Sequence, residues 1–240
     1  MEKYINSHFI ILKSLVGSKN YNTDIEDSDE DYKYFIMPTF DELYNNHMYK
    51  YSECGGTDYV ICDIRKLPRL LYKSNINFIE TIFSIDMTFN VNTFYNFIEE
   101  NRYELARMNL PALYNSCRGM STQFQKIMLA KRYKERISKK FFKVAYQAFR
   151  TLDFLERMYQ FNFDFQKSIW YDNNEEIINI RTGKLTYDEI LTLVSKKEET
   201  VNELKEKFMK DVNEQLYIKL LNETKEIIRS FIKGELEIWT

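Results

Sequence analysis

Apolar residues form short runs in the first third of the chain. Residues 8–16 form one run that stops at Gly17, which is typical of a buried strand or a short helix. Residues 31–37 are rich in strand-forming side chains and are closed by Pro38. Residues 57–63 form a second strand-like segment, entered through a pair of glycines. This part of the chain is therefore expected to contain a sheet.

Beyond about residue 91 the apolar positions follow a helical period. Residues 139–159 carry apolar or aromatic side chains every third or fourth position, which indicates a helix packed on a core. Residues 186–194 and 199–231 repeat this spacing. A shorter helical period covers residues 64–72, and its outer face is basic.

These patterns together predict an α+β protein. We expect a small α/β domain with a mixed sheet over residues 1–90, followed by a mainly helical domain over residues 91–240.

Composition excludes several classes of protein. Of the 240 residues, 44% are hydrophobic and 29% are charged, which is ordinary for a soluble globular protein. The 36 acidic and 34 basic side chains give a formal net charge of -2, unlike a dedicated nucleic-acid binder. No apolar stretch approaches the roughly 20 residues that span a bilayer, and three cysteines are too few for a disulfide framework. A cytoplasmic protein without a membrane partner is expected.

Two aspartates beside the first predicted strand have a spacing that suits metal binding. On a strand, Asp29 and Asp31 would point to the same face roughly 6–7 Å apart. Mg²⁺ prefers hard oxygen ligands, and two such ions can clamp the attacking and leaving oxygens of a phosphoryl transfer. Acidic clusters in loops are more often solvated surface, so the context decides. Here Gly17 would let backbone amides approach a phosphate and the Ser18 hydroxyl could bond to it, although an ordinary turn explains both.

These residues resemble a known family. Val16-Gly17-Ser18, a gap, and then Asp29-x-Asp31 before an apolar strand resembles the signature of the polymerase-beta nucleotidyltransferase superfamily. Further segments resemble the predicted nucleotidyltransferases associated with RNA ligases. They are residues 28–31 with Met37-Pro38, residues 65–71, residues 75–80, Lys143 with Arg150, Ile180-Arg181-x-Gly183 and residues 187–190. The resemblance covers most of residues 10–205.

The resemblance implies a chemistry and a set of ligands. It implies transfer of a nucleoside monophosphate from an NTP, with ATP the first expectation, and with release of pyrophosphate. Two Mg²⁺ ions, or Mn²⁺, would be the cofactors and an RNA end the acceptor. Lys66, Lys143 and Arg150 would contact the nucleotide together with Gly17 and Ser18. On spacing alone, a solvated helix face explains each of these three cations equally well.

The third carboxylate of the site has two candidates. The register of the resembling family, counted back from Lys66, favours Asp58 over Asp63. The latter ends its strand and is well explained as the cap of the following helix. Two positions depart from the pattern: Ile76 replaces a proline, and Gln147 replaces a histidine, which puts in doubt any acid–base role for that histidine.

A basic run is the candidate surface for RNA or phosphate. Between residues 126 and 143 eight cations accompany a single acid, Glu135, with aromatic side chains interleaved. An exposed helix explains such a run as well. Two other functions also stay open: transfer to a protein hydroxyl, as in toxin-like nucleotidyltransferases, and non-catalytic binding of a nucleotide or partner on the same fold.

Overall fold

The computed structural model describes residues 7–48, 50–53, 57–130 and 138–235. Strands and helices together confirm the predicted α+β class. The chain divides into two compact units, neither of them continuous in sequence. The sheet unit consists of residues 1–20, 29–108 and 213–240, and the helical unit consists of residues 21–28 and 109–212. The part of the chain after residue 90 is thus shared between both units.

Five strands of the sheet unit form one mixed sheet in the order β3-β4-β2-β1-β5. They are β1 (Ile10–Val16), β2 (Glu30–Ile36), β3 (Lys50–Glu53), β4 (Thr57–Asp63) and β5 (Met87–Phe89). β2 and β4 are parallel, and the other pairs are antiparallel. The strands predicted within residues 31–37 and 57–63 are confirmed, and the apolar run of residues 8–16 is a strand rather than a helix.

Helices make up most of the remaining described residues. The α-helices are, in chain order, α1 (Ser18–Tyr21), α2 (Phe40–Tyr44), α3 (Leu67–Tyr72), α4 (Ile76–Ile79), α5 (Asn92–Arg107), α6 (Leu110–Met128), α7 (Lys139–Gln160), α8 (Phe165–Ile169), α9 (Glu175–Thr182), α10 (Tyr187–Glu203), α11 (Lys205–Phe208) and α12 (Glu214–Lys233). Two short 3₁₀ turns span Ile64–Lys66 and Glu80–Ile82. Among the described residues, no helix is both long and apolar enough to cross a membrane.

The sheet has one apolar face and one mixed face. Tyr34, Ile36, Tyr59 and Ile61 form a buried cluster on the first face. Because side chains alternate along a strand, Asp31 and its neighbours at every second position point to the opposite face. This mixed face is tied to the second 3₁₀ turn, since the buried hydroxyl of Ser14 in β1 donates a 2.8 Å hydrogen bond to the carbonyl of Thr81.

The helical unit is organised around α7. This amphipathic helix packs against α6, α8, α9 and α10 through its apolar side. A short turn joins α9 to α10: Gly183 ends α9 with a left-handed backbone (φ 75°), and Thr186 caps α10 by accepting a hydrogen bond from the Glu189 amide.

Candidate functional site

Asp31 and Asp58 are direct neighbours in the sheet. They are Cα partners in the parallel pairing of β2 with β4, and each is the second residue of its strand. Partners in a parallel pair point to the same face, and adjacent strands lie about 4.8 Å apart. Both carboxylates are partly exposed. The pair therefore offers hard oxygen ligands at the edge where both strands begin.

Asp29, the other predicted carboxylate, lies outside the strand pairing that joins Asp31 and Asp58. It lies one residue before β2 and is exposed. Across the residues that the structure describes, which include all three aspartates, no group of three or more His, Cys, Asp or Glu side chains is arranged to hold a metal ion. The structure brings together two of the three predicted carboxylates.

Gly17 lies in close contact with the Asp31 carboxylate. Its backbone is left-handed (φ 77°), and a Cβ atom on it would lie 2.6 Å from Asp31 Oδ2. Only glycine allows both the conformation and the close approach. Its own amide donates a 3.0 Å hydrogen bond to Glu80 Oε2. Ser18 follows as the first residue of α1 and is partly buried.

Glu80 and Lys33 also belong to this site, although no role was predicted for them from the sequence. Glu80 is 2% exposed, and its second oxygen accepts a 3.0 Å hydrogen bond from Lys33 Nζ. Lys33 is two residues beyond Asp31 in β2 and so points to the same face. Both had a signal in the sequence: Lys33 continues the alternation of the aspartates, and Glu80 ends the segment 75–80 of the family resemblance.

Asp63 has the capping role that its position at the strand end indicated. It is fully buried and accepts 2.9 Å hydrogen bonds from the backbone amide and the Nε of Arg65, capping the first 3₁₀ turn. Its strand partner is Ile36 rather than a carboxylate. Five residues of strand separate it from Asp58, a distance of about 16 Å.

Lys66 lies at the same distant end of β4 as Asp63. It belongs to the first 3₁₀ turn, and its Nζ is 3.5 Å from the carbonyl oxygen of Met48. The nucleotide contact that the resemblance implied for Lys66 is therefore not supported by its position. The reason is that Asp58 lies at the start of β4, beside Asp31, whereas Lys66 follows the opposite end of that strand.

The two cations of α7 differ in environment. Lys143 is exposed, whereas Arg150 is 3% exposed and its guanidinium lies 4.5 Å from the centre of the Tyr21 ring. Arg150 also donates a 3.2 Å hydrogen bond to Gln147 Oε1. Packing within the helical unit thus explains Arg150, and Gln147, which replaces the expected histidine, is its hydrogen-bond partner. Lys143 keeps its charge at the surface.

The basic run is described in part. Lys126, Lys139, Lys140 and Lys143 are exposed, and Lys139 Nζ lies 3.3 Å from Asp27 Oδ2. The other four cations of the run, Lys131, Arg132, Lys134 and Arg136, lie outside the described residues.

The segment that precedes Asp29 is held by side chains of the helical unit. Arg181 donates hydrogen bonds to the Thr23 carbonyl (2.6 Å) and to Ser28 Oγ (3.0 Å). The hydroxyls of Thr23 and Tyr146 are 2.7 Å apart. The sequence placed Arg181 in a family segment, and the structure adds that it fixes this loop.

A scan against models of known protein families finds no match to this chain. A search of curated proteins likewise finds no matching relative. Function is therefore inferred from the residues and their positions.

Proposed function

We propose that this protein is a metal-dependent nucleotidyltransferase. The pairing of Asp31 with Asp58 on parallel strands, with Gly17 packed against the first carboxylate, is the observation that carries the proposal. In the proposed reaction an acceptor hydroxyl oxygen forms a bond to the α-phosphorus of an NTP. The bond from that phosphorus to the bridging oxygen breaks, pyrophosphate leaves, and the hydroxyl proton passes to solvent.

The donor chemistry of the pair fits Mg²⁺ or Mn²⁺. Both ions prefer carboxylate oxygens, and the two partly exposed carboxylates are side by side on one face. Asp31 and Asp58 would hold the metal, and Asp29, exposed and two residues from Asp31, is the proposed third ligand. When bound, such a metal neutralises triphosphate charge and polarises the phosphoryl oxygens.

The chain's own residues shape the site around these carboxylates. Gly17 keeps the first turn close to Asp31, and Ser18 is the proposed hydroxyl contact to phosphate. Lys33 places a positive charge on the same face and offsets the buried carboxylate of Glu80. Asp63, Arg65 and Lys66, at the far end of β4, are outside the proposed site.

The proposed acceptor is an RNA end, with ATP as the first nucleotide to test. The exposed lysines at positions 126, 139, 140 and 143 support this choice, because clustered cations bind a phosphate backbone. We also propose a cytoplasmic location, since the small number of cysteines is typical of a reducing compartment.

Labelled nucleotides test this proposal directly. The purified chain is incubated with each α-labelled NTP, Mg²⁺ or Mn²⁺, and either total RNA or cell protein. We expect label in RNA, an equal amount of pyrophosphate, and loss of both in Asp31→Asn and Asp58→Asn. Glu30→Gln is the matched control, because it also removes one negative charge but points to the opposite face.

The possible outcomes of this assay distinguish the acceptors and the candidate functions from one another. Label in protein instead of RNA identifies a protein hydroxyl as the acceptor. Tight NTP binding without pyrophosphate release identifies a non-catalytic nucleotide-binding protein. Transfer that persists in both aspartate variants overturns the proposed site.

A further inference from the structure

We propose that Glu80 and Lys33 are positioning residues for Asp31: together they fix the Gly17 turn against that carboxylate and set its capacity to bind a divalent cation. The inference rests on the proposed function only in assigning a metal to Asp31.

The two oxygens of Glu80 have different partners. Oε2 accepts a 3.0 Å hydrogen bond from the Gly17 amide, and Oε1 accepts one of 3.0 Å from Lys33 Nζ. The side chains of Glu80 and Lys33 are 2% and 12% exposed. A buried carboxylate is stable when it is both paired and hydrogen-bonded, and its hydrogen bonds are then stronger than those between neutral groups. Glu80 therefore joins the Gly17 turn to Lys33 in β2, although it lies 63 and 47 residues away from them in sequence.

Both hydrogen-bond partners of Glu80 lie close to Asp31. Gly17 follows Val16, the strand partner of Asp31, and leaves no room for a Cβ beside Asp31 Oδ2. Lys33 follows Asp31 by two residues on the same face of β2. The two hydrogen bonds of Glu80 thus connect the turn that approaches Asp31 Oδ2 with the strand that carries Asp31. A shift of either partner of Glu80 changes where that carboxylate can lie.

This arrangement resembles the outer-shell partners of metal sites, whose removal typically weakens metal affinity about 10–100-fold. Lys33 adds a charge effect, because it is the cation that forms an ion pair with the buried carboxylate of Glu80 on the mixed face. The ion pair of Lys19 with Glu30 has the same 3.0 Å separation but side-chain exposures of 32% and 50%. An exposed pair of this kind contributes little, so it provides a matched control.

The test compares Glu80→Gln, Lys33→Met, Lys33→Arg and Lys19→Met in the full chain. Mn²⁺ affinity is measured by electron paramagnetic resonance, and the exchange rate of the Gly17 amide hydrogen is measured by NMR. We expect Glu80→Gln and Lys33→Met to raise the Mn²⁺ Kd by about tenfold or more and to speed Gly17 exchange. Lys33→Arg should restore most of the affinity, and the Glu80→Gln/Lys33→Met double variant should lose little beyond either single variant.

Comparison with the Lys19→Met control, the wild type and Asp31→Asn decides the interpretation. If Glu80→Gln and Lys33→Met match Lys19→Met in both Mn²⁺ Kd and Gly17 exchange at equal Tm, the positioning role is wrong. If the wild-type chain binds Mn²⁺ through Asp31 but transfers no nucleotide, the proposed function fails, while the affinity series still judges the positioning role. Mn²⁺ binding unchanged in Asp31→Asn overturns both.

Discussion

An aspartate lies near each end of β4, and the two side chains differ in burial and in their neighbours. At the far end Asp63 is fully buried, and its oxygens accept hydrogen bonds from the backbone and side chain of Arg65. At the near end Asp58 is partly exposed and lies beside another carboxylate, that of Asp31. A buried carboxylate is stabilised by such hydrogen bonds, whereas partly exposed carboxylates on adjacent strands are accessible to a cation from solvent. Position in the sheet therefore separates two aspartates that the sequence left as competitors.

The largest expected effect is at the near end. Asp31→Asn and Asp58→Asn should each lower the rate of nucleotide transfer by on the order of a thousandfold, since metal stabilisation of the transition state amounts to several kcal/mol. Their Tm should stay close to that of the wild type, because both side chains are partly exposed and asparagine has nearly the same shape as aspartate. Single-turnover kinetics and thermal melts measure the two effects. A drop in Tm with unchanged transfer would assign the pair a structural role.

The far end should show the reverse behaviour. Asp63→Asn is expected to lower the free energy of unfolding by about 3 kcal/mol, because it leaves the Arg65 guanidinium beside a neutral partner in a buried setting. Below its melting temperature the variant should keep the wild-type rate of transfer. Urea denaturation combined with kinetics at low temperature checks both values. Loss of transfer in a folded Asp63→Asn protein would contradict the assignment of the two ends.

Two glycines with similar backbones sharpen the comparison. Gly17 (φ 77°) and Gly234 (φ 70°) are both left-handed, but a Cβ on Gly234 would meet no atom within 4 Å. Substitution of either glycine by alanine should therefore lower the free energy of unfolding by about 1–2 kcal/mol through the backbone conformation alone. Only Gly17→Ala should also weaken Mn²⁺ binding, because its methyl group would displace the Asp31 carboxylate. Equal Mn²⁺ affinities in the two variants would show that the close approach is unimportant.

The smallest expected effect concerns Lys66. Lys66 lies beyond Asp63, which is itself about 16 Å along β4 from Asp58, so Lys66→Gln should leave the KM for Mg-ATP unchanged. Steady-state kinetics over a range of ATP concentrations is sufficient to measure this. An increase of tenfold or more in KM would restore the nucleotide contact that the family resemblance implied.

Local patterns were sufficient for the fold class and for most elements. The strands that contain Asp31 and Asp58 and the long helix that contains Arg150 follow from short-range alternation or helical spacing. β5 has three residues and β3 has four, too few for a period to be recognised. Asp63 could be assigned as a cap because capping depends on the next few residues only.

The site was less predictable because its contacts are distant in sequence. The pairing of Asp31 with Asp58 is a matter of strand register, which the intervening turn and the burial of one face determine together. The bond between Lys33 and Glu80 joins residues 47 positions apart. The burial of Arg150 depends on Tyr21, the last residue of α1, which is far away in the chain. Helical spacing indicated the face of α7 but not what covers it.

The discontinuous sheet unit has a consequence for the order of folding during synthesis. α12 belongs to this unit and packs on α5 and α3, with Tyr217 against Tyr72. A ribosome produces α12 only after the whole of the helical unit, so the sheet unit lacks this helix until then. The helical unit has all of its segments earlier and can complete its core first. On a translating ribosome, the sheet unit should therefore be the second of the two units to be completed.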